Sequence, residues 1–155
     1  MLNVVKEKKG NALILILTGS IEESVDFTKL FGELSGSELI LNTKGVPRIN
    51  SVGVKSWIKY FQSVAQKGTK LKLIECSTAI VEQLNLISNF ACGGVVESIF
   101  VPFSCQKCRS ELVGLFTTEA LKKSNFNLPE LKCSKCGGKA EFDDIPEEYF
   151  NFLMG

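Results

Sequence analysis

Four cysteines near the C-terminus stand in two C-x-x-C pairs, Cys105-Gln-Lys-Cys108 and Cys133-Ser-Lys-Cys136, the second followed by Gly137-Gly138. Two residues between cysteines let the chain fold back until both sulfurs reach one small ion, and a second pair closes the tetrahedron from the far side. The chain has no histidine, so four thiolates are the one complete thiolate/imidazole shell it offers. Four protein ligands leave no open position for water or substrate. The spacing therefore predicts a structural zinc site at Cys105, Cys108, Cys133 and Cys136 rather than a catalytic one.

The competing readings are two disulfides or free buried thiols. The chain opens Met1-Leu2-Asn3 and runs into the charged stretch Lys6-Glu7-Lys8-Lys9, with no leader pattern there. The expected compartment is the cytoplasm, where thiols stay reduced and disulfides are rare. Cys76 and Cys92 lie outside the pairs in apolar surroundings and read as small buried hydrophobes.

The elements that position these residues follow from length and pattern. The 155 residues hold one ordinary domain plus a small module. A module of about 50 residues buries little apolar surface, which is why it needs a metal. The longest apolar run, Ala12 to Leu17, has strand length and falls short of the ~18–20 residues of a membrane span. A formal net charge of +1 gives no general pull toward nucleic acid or anionic lipid.

Leu2 to Lys6 reads as a first strand turning at Lys9-Gly10-Asn11, and Ala12 to Thr18 as a central strand apolar on both faces. Asp26 to Leu34 carries Phe27, Leu30, Phe31 and Leu34 at helical spacing. Glu38 to Thr43 is a short strand. Val54, Trp57, Ile58, Phe61, Val64 and Ala65 form one stripe of a long amphipathic helix. Lys70 to Cys76 is a strand, Ser77 an N-cap for a helix carrying Ile80, Val81, Leu84 and Ile87, and Val95 to Phe103 a last strand. Strands alternating with helices predict an α/β fold with covered sheet faces and largely parallel neighbours.

Three segments together resemble the STAS family, the domain of anti-sigma factor antagonists and of the cytoplasmic part of sulfate transporters. Leu17-Thr18-Gly19-Ser20-Ile21 is similar to the words after the family's central strand. Arg48-Ile49-Asn50-Ser51-Val52-Gly53-Val54 is similar to its (F/I)-x-D-S-(S/T/A)-G-(L/V) signature. Lys70-Leu71-Lys72-Leu73-Ile74 with Ser77 is similar to its next strand and helix start. The resemblance covers residues 1–103 and implies a STAS-like mixed sheet. It also implies a regulatory protein-interaction module rather than an enzyme, with a kinase-like or anti-sigma partner.

In that family the motif serine is phosphorylated to switch partner binding, and the matching position is Ser51. A helix N-terminus favours negative charge, and a phosphate adds about −1.5 to −2 charges. Ser51 also reads as an N-cap worth about 1 kcal/mol. Asn50 stands where the family has aspartate, which keeps the hydrogen bonding and loses the charge. Gly53 permits close packing of the helix start, and Arg48 sits exposed in the same loop, in reach of a phosphoryl group or an acidic partner.

Residues 104–155 read as a zinc ribbon joined without a flexible linker. Leu112 to Thr118 and Lys139 to Phe142 are its strands. A helix starting at Asp143-Asp144-Ile145-Pro146-Glu147-Glu148 presents Tyr149, Phe150, Phe152 and Leu153 to the ribbon, to the first domain or to a partner, the ribbon being the first expectation. Ribbons often bind nucleic acid, yet from Ser104 onward seven basic residues face eight acids, a poor phosphate-binding balance. Without histidine or a phosphate-binding glycine loop the chain offers little for catalysis. The expectation is a non-catalytic signalling module. The alternative is a zinc-ribbon adaptor for nucleic acid or the transcription machinery.

Overall fold

A computed structural model describes residues 2–32, 34 and 36–154. Strands β1 (Asn3–Lys9) and β2 (Ala12–Thr18) form a hairpin through Gly10, which turns at φ +61°. Helix α1 (Phe27–Phe31), β3 (Glu38–Gly45), α2 (Ser51–Gln66), β4 (Lys70–Ile74), α3 (Thr78–Leu86) and β5 (Val95–Val96) follow. The five strands lie in the order β1-β2-β3-β4-β5, antiparallel at the first pair and parallel thereafter. This is the mixed α/β sheet with alternating helices that the pattern predicts.

The core of this half is aromatic. Trp57 is buried, stacks on Phe90 at 5.1 Å with rings 4° from parallel, and donates its indole N–H to the Phe90 carbonyl at 3.1 Å. Phe27, Phe31 and Phe61 close the cluster. Helix α1 is shorter than the periodicity suggests. Asp26 caps it, and Gly32 at φ +60° ends it before Leu34; Glu33, within the expected helix, lies outside the described residues.

Strand β6 (Ser98–Cys105) belongs to a second sheet with β7 (Glu111–Thr117), β8 (Leu131–Lys132) and β9 (Lys139–Phe142), in the order β7-β6-β9-β8 and antiparallel throughout. The single strand expected over Val95 to Phe103 is thus two, separated at Glu97. The cause lies at the end of β4. Glu75 turns at φ +47° and its N–H donates to Ser98 Oγ at 2.7 Å, so the chain beside it leaves the first sheet. Cys76 bridges Ile99, and β6 then pairs with the second sheet. Helix α4 (Thr118–Lys123), capped by the Thr117 hydroxyl, and β8 are elements the periodicity missed.

The predicted final helix is two single turns, α5 (Pro146–Tyr149) and α6 (Asn151–Met154), broken at Phe150. The acids Asp143 and Asp144 stay outside it. Its apolar residues serve both halves, not the ribbon alone. Phe150 stacks on Phe126 and Phe142 at 5.3 and 5.4 Å. Tyr149 donates its hydroxyl proton to the Phe100 carbonyl, and Asn85 of α3 bonds the Tyr149 carbonyl and the Phe152 N–H. One continuous apolar cluster runs from Leu2 to Phe150. Among the described residues no helix is long and apolar enough to cross a membrane.

Candidate metal centre

Cys105 ends β6, Cys108 follows in the turn toward β7, and Cys133 and Cys136 lie between β8 and β9. Pairing of Cys105 with Ala140 of β9 brings the two turns face to face. The four sulfurs lie within 4.8 Å of one another. Cys105 and Cys136 are 3.4 Å apart and Cys108 and Cys133 3.7 Å. A tetrahedral ion with metal–sulfur bonds of about 2.3 Å sets its sulfurs about 3.8 Å apart, whereas a disulfide holds them at about 2.05 Å. None of the four is joined in a disulfide, and the spacings are those of sulfurs around a shared ion.

Each turn is built by the same backbone bonds. The Cys105 N–H donates to the Ser110 carbonyl at 2.9 Å and the Arg109 N–H returns to the Cys105 carbonyl at 3.0 Å. In the second turn Cys133 N–H donates to the Gly138 carbonyl at 2.8 Å and Gly137 N–H to the Cys133 carbonyl at 2.9 Å. The residue after each second cysteine is left-handed: Arg109 at φ +61°, Gly137 at φ +74°. Gly138 is required for space, since a Cβ there would meet Lys107 Cβ at 2.7 Å. Arg109 is the strained counterpart of Gly137. Arg109→Gly is expected to raise stability by about 0.5–1 kcal/mol, net of the entropy glycine carries in the unfolded chain, with metal content unchanged. Denaturant melts of the loaded protein check it.

Backbone donors aim at the sulfurs. The Cys108 N–H lies 3.4 Å from Cys105 Sγ and the Gly138 N–H 3.4 Å from Cys136 Sγ; Ser110 Oγ lies 3.2 Å from Cys108 Sγ. These contacts divide the thiols. The Ser110 hydroxyl and N–H hold Cys108 down to about 6. The Cys108 N–H lowers Cys105. At Cys136 the Gly138 N–H pulls the other way, but neighbouring thiols and burial push it up to about 11. The group titrates as a set, and a cation is what lets all four ionise together. Cys76 is kept apart from this chemistry. It is fully buried, and burial pushes its thiol up to about 12. Burial also raises Cys92.

The Ser51 loop is a separate surface at the start of α2. The capping residue is Asn50, not Ser51. Asn50 has extended backbone, and its Oδ1 accepts from the Gly53 N–H at 2.8 Å. Ser51 is the first helical residue and is exposed, so its hydroxyl is not the cap the sequence suggested. Val52 and Arg48 beside it are also exposed. Gly53 is buried against β2's continuation: a Cβ there would lie 2.4 Å from the Ile21 carbonyl oxygen.

Asn50 has a second bond, from Nδ2 to Glu23 Oε2 at 3.1 Å. Aspartate would cap equally well but set a carboxylate against Glu23. Asn50→Asp is expected to cost about 0.5–1 kcal/mol at neutral pH. Repulsion raises the carboxyl pKa values in the folded state. The folded form then binds more protons, and the deficit shrinks as pH falls through about 4. Melts of both proteins at neutral pH and at pH near 4 check the sign.

No protein-family model matches the chain, and no curated protein matches it in sequence.

Proposed function

We propose that the chain is a cytoplasmic, non-catalytic regulatory module of bacterial partner switching, STAS-like over residues 1–103, with a structural zinc ion held by Cys105, Cys108, Cys133 and Cys136. The observation that carries it is the state of Ser51. Asn50 takes over the capping, and the Ser51 hydroxyl is left exposed at the first position of a 16-residue helix. A phosphate there gains from the helix N-terminus and adds charge to a surface shared with Arg48 and Val52. Losing the hydroxyl costs little fold stability, because the cap is elsewhere. The sulfur spacings suit zinc, and four thiolates leave it no open position.

Intact mass of the protein from its native cell, taken native and denatured, tests both halves. One zinc, plus a phosphate-sized increment that disappears in Ser51→Ala, supports the reading, and so does a kinase-like or anti-sigma partner whose binding falls with the phosphate. Zinc with no modification under any growth condition removes the phosphoswitch. A second reading draws on the exposed Lys107, Arg109 and Lys135 around the cysteine cluster. In that reading the module is a nucleic-acid or transcription-machinery adaptor. Binding to RNA or DNA that weakens steeply with salt and with Lys107→Glu favours it.

A further inference from the structure

The two sheets have four edges, and three of them are protected. Strand β1 carries Lys6, Lys8 and Lys9, and lysines along an edge discourage pairing with another chain. Strands β5 and β8 are two residues long. Strand β7 is different. It is a seven-residue edge, Glu111-Leu-Val-Gly-Leu-Phe-Thr117, with no lysine and no proline.

The outward groups of β7 can be identified. On β6, the Phe100 N–H goes to the Cys76 carbonyl, the Phe100 carbonyl accepts from Tyr149, and the Pro102 carbonyl accepts from the Asp143 N–H. Those residues point away from β7. Ile99, Val101 and Phe103 therefore bond to their register partners Phe116, Gly114 and Leu112. By alternation, the N–H and C=O of Glu111, Val113, Leu115 and Thr117 face the free edge. Among the described residues Val113 and Leu115 make no other hydrogen bond there. Their side chains are 54% and 49% exposed and stand on the same face as the half-buried Phe100 and Pro102.

We infer that this edge pairs with the same edge of a second copy, about a two-fold axis at Gly114, joining two four-stranded sheets into one of eight. The sequence is self-complementary in that register. Val113 meets Leu115 of the other copy, Leu112 meets Phe116, and Gly114 meets Gly114. Val113 and Leu115 then fall opposite one another as hydrogen-bonded pairs, which is what their outward groups require. The unbonded central pair brings backbones closest, and glycine occupies it. Glu111 meets Thr117, so no like charges face one another. A lysine-rich edge such as β1 would instead set lysine near lysine.

The test uses the full chain with its metal. Sedimentation velocity across a concentration series is expected to show a dimer. Leu115→Lys is expected to weaken it about 100-fold, since each substitution enters the contact twice. Both positions are exposed, so circular dichroism and metal content should be unchanged. A cysteine pair fixes the register independently of that variant. Val113→Cys with Leu115→Cys should give a covalent dimer with two cross-links by intact mass, because the paired positions lie about 5.5 Å apart. Either single variant should not, because like positions are offset along the strands. A monomer at every concentration overturns the inference. So does a dimer indifferent to Leu115→Lys, or single-cysteine variants that cross-link as readily as the pair.

Discussion

Cys133→Ser is expected to strip the metal and open residues 105–142 while the five-stranded sheet stays folded. Cys133 is buried where the second turn leaves β8, and its sulfur is 3.7 Å from Cys108 Sγ. Three ligands and a hydroxyl bind zinc-like ions far more weakly than four thiolates. The binding energy of such an ion is folding energy, about 10–16 kcal/mol in isolated small modules. Here part of that role passes to the shared core, because Phe103 and Ala140 pack into it. The loss should be smaller, on the order of 3–5 kcal/mol.

Two probes separate the halves. Amide protection should fall around β8 and β9. The fluorescence of the one tryptophan, Trp57, buried on Phe90, should not move. A chelator should reproduce the variant, more readily at lower pH, since each thiolate released takes up a proton. Undiminished protection in β8 and β9 after metal loss would mean that the cysteine cluster is incidental to the fold.

Gly53→Ala is expected to destabilise the protein by about 3 kcal/mol, lowering Tm by roughly 10 °C. On helix propensity alone the change should help by nearly 1 kcal/mol, since glycine is the poorer helix former. Space decides against it. The added methyl would lie 2.4 Å from the Ile21 oxygen, 2.9 Å from the Ile21 carbonyl carbon and 3.0 Å from Cγ2. Two of these atoms are backbone, and that backbone is pinned: Ile21 N–H donates to the Arg48 carbonyl and its own carbonyl accepts from the Asn50 N–H. Neither side can give way without parting the start of α2 from β2's continuation. Ser51→Ala, two residues earlier and exposed, is the control and should stay within about 0.5 kcal/mol. A Gly53→Ala protein that melts with the control would show that this junction is soft.

Sequence alone was enough for whatever depends on neighbours along the chain. Ala12–Thr18 is a strand as its unbroken apolar run implies. Ser77 caps α3, as a polar residue before an apolar period should. Each C-x-x-C pair turns back on itself because two intervening residues bend the chain toward one point, while the meeting of the two pairs rests on β6 lying beside β9. Pattern does not carry what depends on partners far apart in the chain. Val95 to Phe103 reads as one apolar strand, but Glu75, some twenty residues earlier, meets Ser98 and diverts it between two sheets.

Ser51 and Asn50 are both good capping residues by type. The choice fell to Asn50 because Ile21 holds its backbone extended and Glu23 uses its amide. The terminal aromatics showed only that something apolar must be covered. That they strap α3 to the second sheet follows from where Asn85 and Phe100 stand. Local propensity and spacing act through a few residues and are written in order along the chain. The joining of two sheets, the choice of cap and the exposed edge at β7 are set by contacts that exist only once distant segments have packed.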